Sequence, residues 1–326
     1  MPPRRAVLAA GLALPGLARA QEAWPNRPIT LIGGFPNGAG TDIYARRMAE
    51  PLQRLLGQPI VVDNRSGAGG NLASDFVAKA RPDGYTLLLG TAGTHAINQS
   101  LYRTLPFDVV RDFTPITHLG DVPNILTSSI ERRPNLRNCA DVLTAARARP
   151  QAVSYASTGN GASTHLAGAQ FAAAAGLDLL HVPYRGQPGA QGAILAGDVD
   201  IFFNQVGPAL GSIQQGQTRG IAVTTAQRVA ALPDVPTVAE ACNLPGFVST
   251  TWYGLFGPAG LPPALVEQIS TAVQAVIGAP DFKEWLLRNQ GIAPPPVRTP
   301  AEFAAIQRRD VASWAEVVRS SGATVD

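Results

Sequence analysis

The sequence is poor in the residues from which metal and redox centres are built. It has two widely separated cysteines, Cys139 and Cys242, and only four scattered histidines, His95, His118, His165 and His181. No Cys-x-x-Cys pair and no metal-ligand spacing occurs, so no metal or other cofactor is assigned. Sequence alone does not pair the cysteines. Charge is sparse, at 15% of residues, and nearly balanced, with 26 Lys+Arg against 23 Asp+Glu. Three of the arginines, Arg4, Arg5 and Arg19, fall in the first twenty residues, where there is no acid; without that stretch the balance is 23 against 23. The remainder lacks the basic footprint of a nucleic-acid binder or of a protein that binds anionic membranes. Beyond residue 20 nothing approaches the ~18 uninterrupted apolar residues that a membrane helix requires.

Enzyme signatures are also missing. Gly38-Ala39-Gly40 is followed by Ile43 where the dinucleotide fingerprint needs glycine, and Gly159-Asn160-Gly161 meets Thr164 at that position. There is no Gly-Lys-Ser/Thr phosphate loop and no Gly-x-Ser-x-Gly elbow. Ser163 and His165 stand two apart on a helix, where their side chains point to different faces. An exported α/β enzyme acting on a carboxylated substrate therefore has no nucleophile–base pair to work with, although its architecture would be the same.

Residues 1–20, MPPRRAVLAAGLALPGLARA, are what the chain does have at its start: a doubly positive beginning, an apolar run from Ala6 to Leu14, and Ala18-Arg19-Ala20. This reads as a signal peptide cleaved after Ala20, with Sec or twin-arginine export both open. The mature protein is expected in the periplasm, a compartment that permits disulfides.

A short β-branched run, a glycine-rich loop and an amphipathic helix then recur, an order that predicts an α/β fold with a largely parallel sheet. The first unit has its strand at Ile29–Ile32, its loop at Gly33–Gly40 and a helix from Thr41 carrying Tyr44, Met48, Leu52 and Leu55 on one stripe. A second has its strand at Ile60–Val62, its loop at Arg65–Gly70 and its helix at about Asn71–Ala80. A third has its strand at Val153–Ala156, its loop at Ser157–Gly161 and a helix capped by Ser163 or Thr164. The segment Thr114–Ser128 and the proline cluster Pro233–Gly246 read as two hinge crossings. They divide the chain into one domain of residues 21–121 and 241–326 and a second of 122–240. Two lobes joined by two crossings make a cleft able to close on a ligand. Helix starts behind the first and third loops would face each other across it, and their unpaired N–H groups favour anions. Thr41 or Asp42 is available as a helix cap.

Several ordered motifs carry a resemblance. They are Phe35-Pro36-Asn37-Gly38-Ala39-Gly40-Thr41-Asp42, Val62-Asp63-Asn64-Arg65-Ser66-Gly67-Ala68-Gly69-Gly70-Asn71 and Ala80-Arg81-Pro82-Asp83-Gly84-Tyr85-Thr86-Leu87-Leu88 in the first part of the chain. Tyr155-Ala156-Ser157-Thr158-Gly159 with His165-Leu166-Ala167-Gly168, His181-Val182-Pro183-Tyr184-Arg185-Gly186 and Pro233–Glu240 follow. In that order, from about Trp24 to Val318, they resemble the extracytoplasmic solute receptors of tripartite tricarboxylate transporters, the Bug receptors. The resemblance implies a monomeric, two-lobed, type II-like Venus-flytrap protein of the periplasm. It would bind a small organic acid and deliver it to membrane permease subunits, without catalysis; a receptor that reports its ligand to a signalling partner would have the same cleft. It places Phe35, Gly38, Gly40, Thr41 and Asp42 on one side of the ligand and Ser157, Gly159, Thr164 and His165 on the other, with Thr91, Ala92 and Asn204 lining the cleft. This chain departs from the family pattern at Asn37, Ala39 and Asn204, where proline, glycine and often aspartate are usual. Loss of a negative charge at Asn204 would widen the range of anionic ligands accepted. Arg185, in a turn bracketed by Pro183 and Gly186, is given a surface or hinge role.

Overall fold

The computed structural model describes residues 24–321 and residue 325; the leader read over residues 1–20 lies outside them. The chain opens with β1 (Ile29–Gly33), α1 (Gly40–Leu56), β2 (Ile60–Asn64), α2 (Asn71–Ala78) and β3 (Thr86–Thr91), and the short α3 (Asn98–Leu101) follows a π-helical turn. A 17-residue strand, β4 (Phe113–Ser129), leads into α4 (Cys139–Arg147), β5 (Ser154–Ser157), α5 (Ser163–Ala175), β6 (Leu180–Pro183) and α6 (Gln187–Ala196). Then come β7 (Ile201–Gln205), α7 (Val206–Gln214), β8 (Thr218–Val223), α8 (Val238–Ala241) and β9 (Thr250–Pro258). The chain ends on α9 (Pro263–Ile277), α10 (Pro280–Trp285) and α11 (Pro300–Ser321).

The strands run in the order β2-β1-β3-β9-β4-β7-β5-β6, with β8 also on β4. Pairing is parallel within β2-β1-β3 and within β7-β5-β6, and antiparallel wherever β4 or β9 takes part. The sheet is thus mixed, not largely parallel. β4 and β9 are neighbours that run in opposite directions, and each also meets its other partners antiparallel.

The long strand β4 organises the two lobes. Its residues Phe113–Pro123 pair with β9, and its residues Asn124–Ser129 pair with β7 and β8. One strand therefore belongs to both halves of the molecule, and the pairing partner changes between Pro123 and Asn124. On one side the cores are built around Leu31, Tyr44, Leu89 and Leu255, and around Ile32, Leu88, Phe256 and Phe303. On the other they gather around Leu126, Phe171 and Phe203, around Ile125 and Val223, and around Ala156 and Phe202. Residues 241–249, which the sequence reading assigns to the first lobe, lie with the second. Cys242 and Phe247 pack in the core that holds Leu126, and Ser249 N–H donates to Thr224 O at 2.8 Å. The reason is covalent as well as apolar, because Cys242 is joined to Cys139 in a disulfide with Cα atoms 5.3 Å apart.

The helix that matters most for the site is α1. Tyr44 is fully buried, its hydroxyl donates to Leu119 O at 2.7 Å, and its ring lies edge-on to Tyr253, Phe282 and Trp285. This aromatic cluster fixes the start of α1 against β9. Leu55, expected on the apolar stripe, is exposed, and Leu56 packs in its place. Gly57 closes the helix in the left-handed region at φ 69°, as its position predicts. At the other end of the chain, Thr299 and Glu302 form the capping box read from sequence, with Glu302 N–H on Thr299 Oγ1 and Thr299 N–H on Glu302 Oε2.

Three histidines are held neutral inside the fold. His95 is completely buried, stacks on Phe256 with ring centres 4.1 Å apart, and burial lowers its pKa to about 3. His165 and His181 stack on each other at 4.0 Å, and Tyr155 stacks on the far face of His181 at 4.8 Å. Burial lowers His165 to about 4, and burial plus the facing His165 lowers His181 to about 3.

Two predictions follow from this frame. The disulfide closes a loop with a sequence separation of 103, and a bridge of that span restricts the unfolded chain by about 4–5 kcal/mol. Replacing both cysteines by alanine is expected to lower the thermal midpoint by several degrees; an unchanged midpoint would show that the bridge adds nothing to stability. The histidines give a pH dependence. Their folded pKa values lie below the unfolded value of about 6.5, so the unfolded chain binds more protons between the two. Stability is then full above pH ~6.5 and falls as the pH drops toward 4, a window above the usual carboxylate range. Midpoints measured across pH 4–7 should decline with acid, and His165→Gln should flatten the decline; a level profile in the wild type would contradict the assignment.

Candidate functional site

The loop ahead of α1 is shaped by its own carboxylate. Asp42 is not the cap of the helix; the cap position is Ala39, which has no capping side chain. From the third helical position Asp42 reaches back, and its Oδ2 accepts from Gly38 N–H at 2.9 Å. Its Oδ1 accepts from Arg46 Nε at 2.8 Å and Asn64 Nδ2 at 2.6 Å. Burial pushes the Asp42 carboxyl up, but the bonds from Gly38, Asn64 and Arg46 and the arginine charge outweigh it and hold its pKa below the usual carboxylate value. Gly38, at φ 80°, and Asp42 therefore secure the loop to itself and to β2. Their groups are used up.

The first helical residues, Gly40 and Thr41, point the other way, into a narrow cleft between the lobes. A Cβ on Gly40 would collide with the Gln205 side chain and the Tyr253 hydroxyl, so only glycine lets the first turn of α1 stand this close to β7 and β9. Thr41 is buried and its Oγ1 has no hydrogen-bond partner among the described residues. Two more buried polar groups lining the cleft share that condition, Gln187 Nε2 and Thr251 Oγ1. Unsatisfied buried polar atoms cost about 1–3 kcal/mol each unless a ligand or water meets them.

The opposite wall is the start of α5 and α6. Thr164 is buried and accepts from Thr158 N–H at 2.9 Å, and its hydroxyl lies 3.0 Å from that of Thr158. It is Thr158 that lines the cleft, with Ser163 beside it. Ser163 Oγ lies 3.4 Å from Gln205 Nε2, and Tyr253 OH donates to Gln205 Oε1 at 2.9 Å. The Gln205 amide thereby links a strand of one lobe to a strand of the other. Gly186, at φ 91°, precedes α6, and a Cβ on it would strike the Pro36 ring.

Of the twelve residues expected at the site, Phe35, Gly40, Thr41 and Thr91 line this cleft, and Gly159 with Phe35 lines a larger outer chamber. The others stand behind the walls. Ser157 is fully buried, with Oγ 2.7 Å from His181 Nε2, and it orders the third loop through Gly159 N–H. His165 accepts from Gly161 N–H at 3.2 Å through Nδ1 and holds the same loop. Ala92 is in the core with Leu88 and Phe256. Asn204 faces α6, where its Nδ2 donates to Gln191 Oε1 at 3.1 Å, and the cleft receives Gln205 instead. Strand alternation is the cause: Phe202 and Asn204 share the face covered by α6, and Phe203 and Gln205 share the face covered by α5.

Sequence reasoning missed Gln187, Gln205, Thr251 and Tyr253. For Gln187 a signal was present, because Gly186 ahead of a helix start repeats the strand–glycine–helix scheme of the other loops. The second glycine loop borders an outer chamber at Ser66–Gly70. No group of three or more His, Cys, Asp or Glu placed to hold a metal occurs among the described residues, nor does any helix long and apolar enough to cross a membrane.

The same architecture is found in known proteins. Residues 44–322 match the model of the tripartite tricarboxylate transporter family receptor. A Pseudomonas sp. protein, "UPF0065 protein in tcbD-tcbE intergenic region", is 41% identical over 89% of this chain and 86% of its own length. Protein BugT of Bordetella pertussis is 34% identical over 97% of this chain and 95% of its own. Among solved structures, R. palustris Rpa4515 with adipate superposes with a TM-score of 0.87 at 34% identity, covering 93% of this chain and all of that one. MatC of Rhodopseudomonas palustris with bound malate gives 0.83 at 30% identity, covering 90% of this chain and all of that one. Sequence and fold agree over nearly the full length, and the chain belongs to the tripartite tricarboxylate transporter receptor family, a family of solute-binding receptors and not of enzymes.

Proposed function

We propose that this receptor binds a small organic acid in the interlobe cleft, with a carboxylate on the N–H groups and hydroxyl that begin α1 and on the groups that begin α5. The observation that carries this reading is the lining itself. Three helices of ten or more residues start at the cleft, at Gly40, Ser163 and Gln187, and Thr41 Oγ1 is buried there without a partner. No charged side chain lines this inner cleft among the described residues. Helix starts favour an anion by about 0.3–2 kcal/mol each, and hydrogen bonds to a charged group add roughly 1.5–3 kcal/mol each. Four or five such contacts are enough for the −8.2 kcal/mol or so of a micromolar complex without an arginine. The adipate and malate in the two related structures are of the same chemical class.

In this reading the lobes are residues 21–121 with the return from β9 onward, against the middle of the chain. They close about the Pro123/Asn124 step of β4 and the Ser249/Thr250 entry to β9. The leader is removed after Ala20, and a monomeric periplasmic receptor hands its acid to membrane permease subunits.

Thermal-shift and calorimetric titration of refolded protein with mono- and dicarboxylates, amino acids and neutral sugars tests the reading. Carboxylates alone should raise the midpoint, by a few degrees at about 100 Kd, and should be recovered unchanged. Thr41→Val, which keeps the shape and removes the hydroxyl, should weaken the bound acid by about one to two orders of magnitude. Stabilisation by sugars and by no acid would overturn the assignment.

A further inference from the structure

One leucine of α5 is buried in the wrong half of the molecule. Its neighbours Ala167 and Phe171 pack in the second-lobe core with Leu126 and Phe203, but Leu166 belongs to the core that holds Ile97, Leu101 and Trp252. Among the described residues, every other buried member of that core comes from the first lobe. Leu166 and Ser163 also share a small cavity with Ile97 and Trp314, beside Asn124 of β4 and Thr250 of β9. The second lobe is thus seated in the first through an apolar side chain that is only 7% exposed.

Backbone completes the contact. Gly161 precedes Ala162, the cap position of α5, and a Cβ on it would meet Asn98 Oδ1 and Leu101 Cδ2, each at 2.7 Å. From the first lobe, a Cβ on Gly93 would meet Gly161 O at 3.0 Å. Asn98 is fully buried, and its Nδ2 donates to Asn71 Oδ1 at 2.7 Å and to Gly69 O at 3.2 Å. It therefore braces the first-lobe side of the seam. Gly161 and Leu166 flank Ala162 and Ser163, which line the inner cleft, whereas Gly161, Leu166, Gly93 and Asn98 do not line it.

From this we infer that Leu166 and the Gly93–Gly161 contact are a dock that holds the lobes together before any acid arrives. They are positioning residues: they bring Ala162 and Ser163 over the start of α1, and so set how tightly and how long an acid is held without touching it. The inference rests on the two-lobed reading given above and adds to it the contact that sets the closed population. Opening the lobes would return the leucine to water, which the hydrophobic effect opposes. Apparent affinity falls in proportion to the fraction of receptor in the competent state, so a dock that fills the closed state tightens binding of every ligand that needs it. Glycine is required at the seam because the two backbones approach this closely only with no Cβ between them.

The test is small-angle scattering and hydrogen-exchange mass spectrometry on the full mature chain, refolded free of ligand, for the wild type, Leu166→Ala, Leu166→Met and Gly93→Ala. Gly93 lies outside the left-handed region, so an alanine there is opposed by Gly161 O and Thr91 Oγ1 and not by its own backbone. The wild type should scatter with the dimensions of the structure. Leu166→Ala and Gly93→Ala should enlarge the radius of gyration and speed exchange several-fold across residues 93–101, in the opposite lobe, while Leu166→Met, which keeps the bulk, should stay near the wild type. Titration with hexanedioate should be weakened about tenfold in Leu166→Ala, chiefly through faster dissociation. A Leu166→Ala protein with wild-type dimensions and wild-type exchange at 93–101 overturns the dock, as does a wild type that scatters as an open molecule without ligand. Faster exchange confined to Ala167–Phe171 also overturns it, because that is the mark of a loosened helix and not of a lost contact between lobes. A wild type with the dimensions of the structure that does not bind hexanedioate counts against the acid reading given above and leaves the dock to the scattering and exchange results.

Discussion

The first N–H groups of an α-helix have no acceptor inside the helix, and much of this architecture is arranged around where those groups end up. At α1 the solution is divided. Gly38 N–H in the preceding loop is satisfied by Asp42, a carboxylate supplied by the helix itself, and the following helical residues are left toward the cleft. At α5 the hydroxyl of Thr164 takes up Thr158 N–H, and Gly161 N–H is received by His165. Short polar side chains just inside each helix thus hold the loops in a fixed shape. The cleft receives what they do not use.

Rigidity behind the walls is what makes such a site selective. A hydrogen-bonding surface discriminates only when its donors cannot rearrange to suit another ligand. The Tyr44–Tyr253–Phe282–Trp285 cluster locks the start of α1, and the Tyr155–His181–His165 stack locks the third loop from beneath. Keeping those imidazoles neutral has a consequence for recognition as well as stability. The burial that excludes their protons leaves lone pairs free to accept from loop N–H groups, as His165 Nδ1 does from Gly161. Several residues singled out from sequence stand in this sense behind the walls, one layer removed from the cleft.

Joining the two halves falls to backbone. β4 pairs with β9 over one stretch and with β7 and β8 over the next, so the two sheets share a strand. The cores lie on either side of the Pro123/Asn124 step. Across the cleft, Gly40 and Gly186 bring backbone against the Gln205 and Pro36 side chains with no Cβ between them. A methyl group at either place would hold the walls apart.

What the sequence determined is local. Glycine after α1 in the left-handed region, the Thr299–Glu302 capping box and the recurrence of strand, glycine loop and helix all depend on residues a few positions apart, and the structure has them as read. Helix starts facing a common cleft were legible for the same reason, as were Phe35, Gly40, Thr41 and Thr91 among its walls. Tertiary structure decided whatever required knowing which neighbour covers which face. Asn204 and Gln205 are adjacent in sequence and equally polar, and only the packing of α6 on one face of β7 sends the first to Gln191 and the second to the cleft. Cys139 and Cys242 could be paired only once α4 and α8 were side by side, and residues 241–249 go with the lobe to which that bond ties them. Thr251 and Tyr253 sit on a strand that carries no loop signature and line the cleft because β9 returns beside β3 and β4. Side-chain chemistry is written along the chain; the face it is turned to is set by the elements that pack against it.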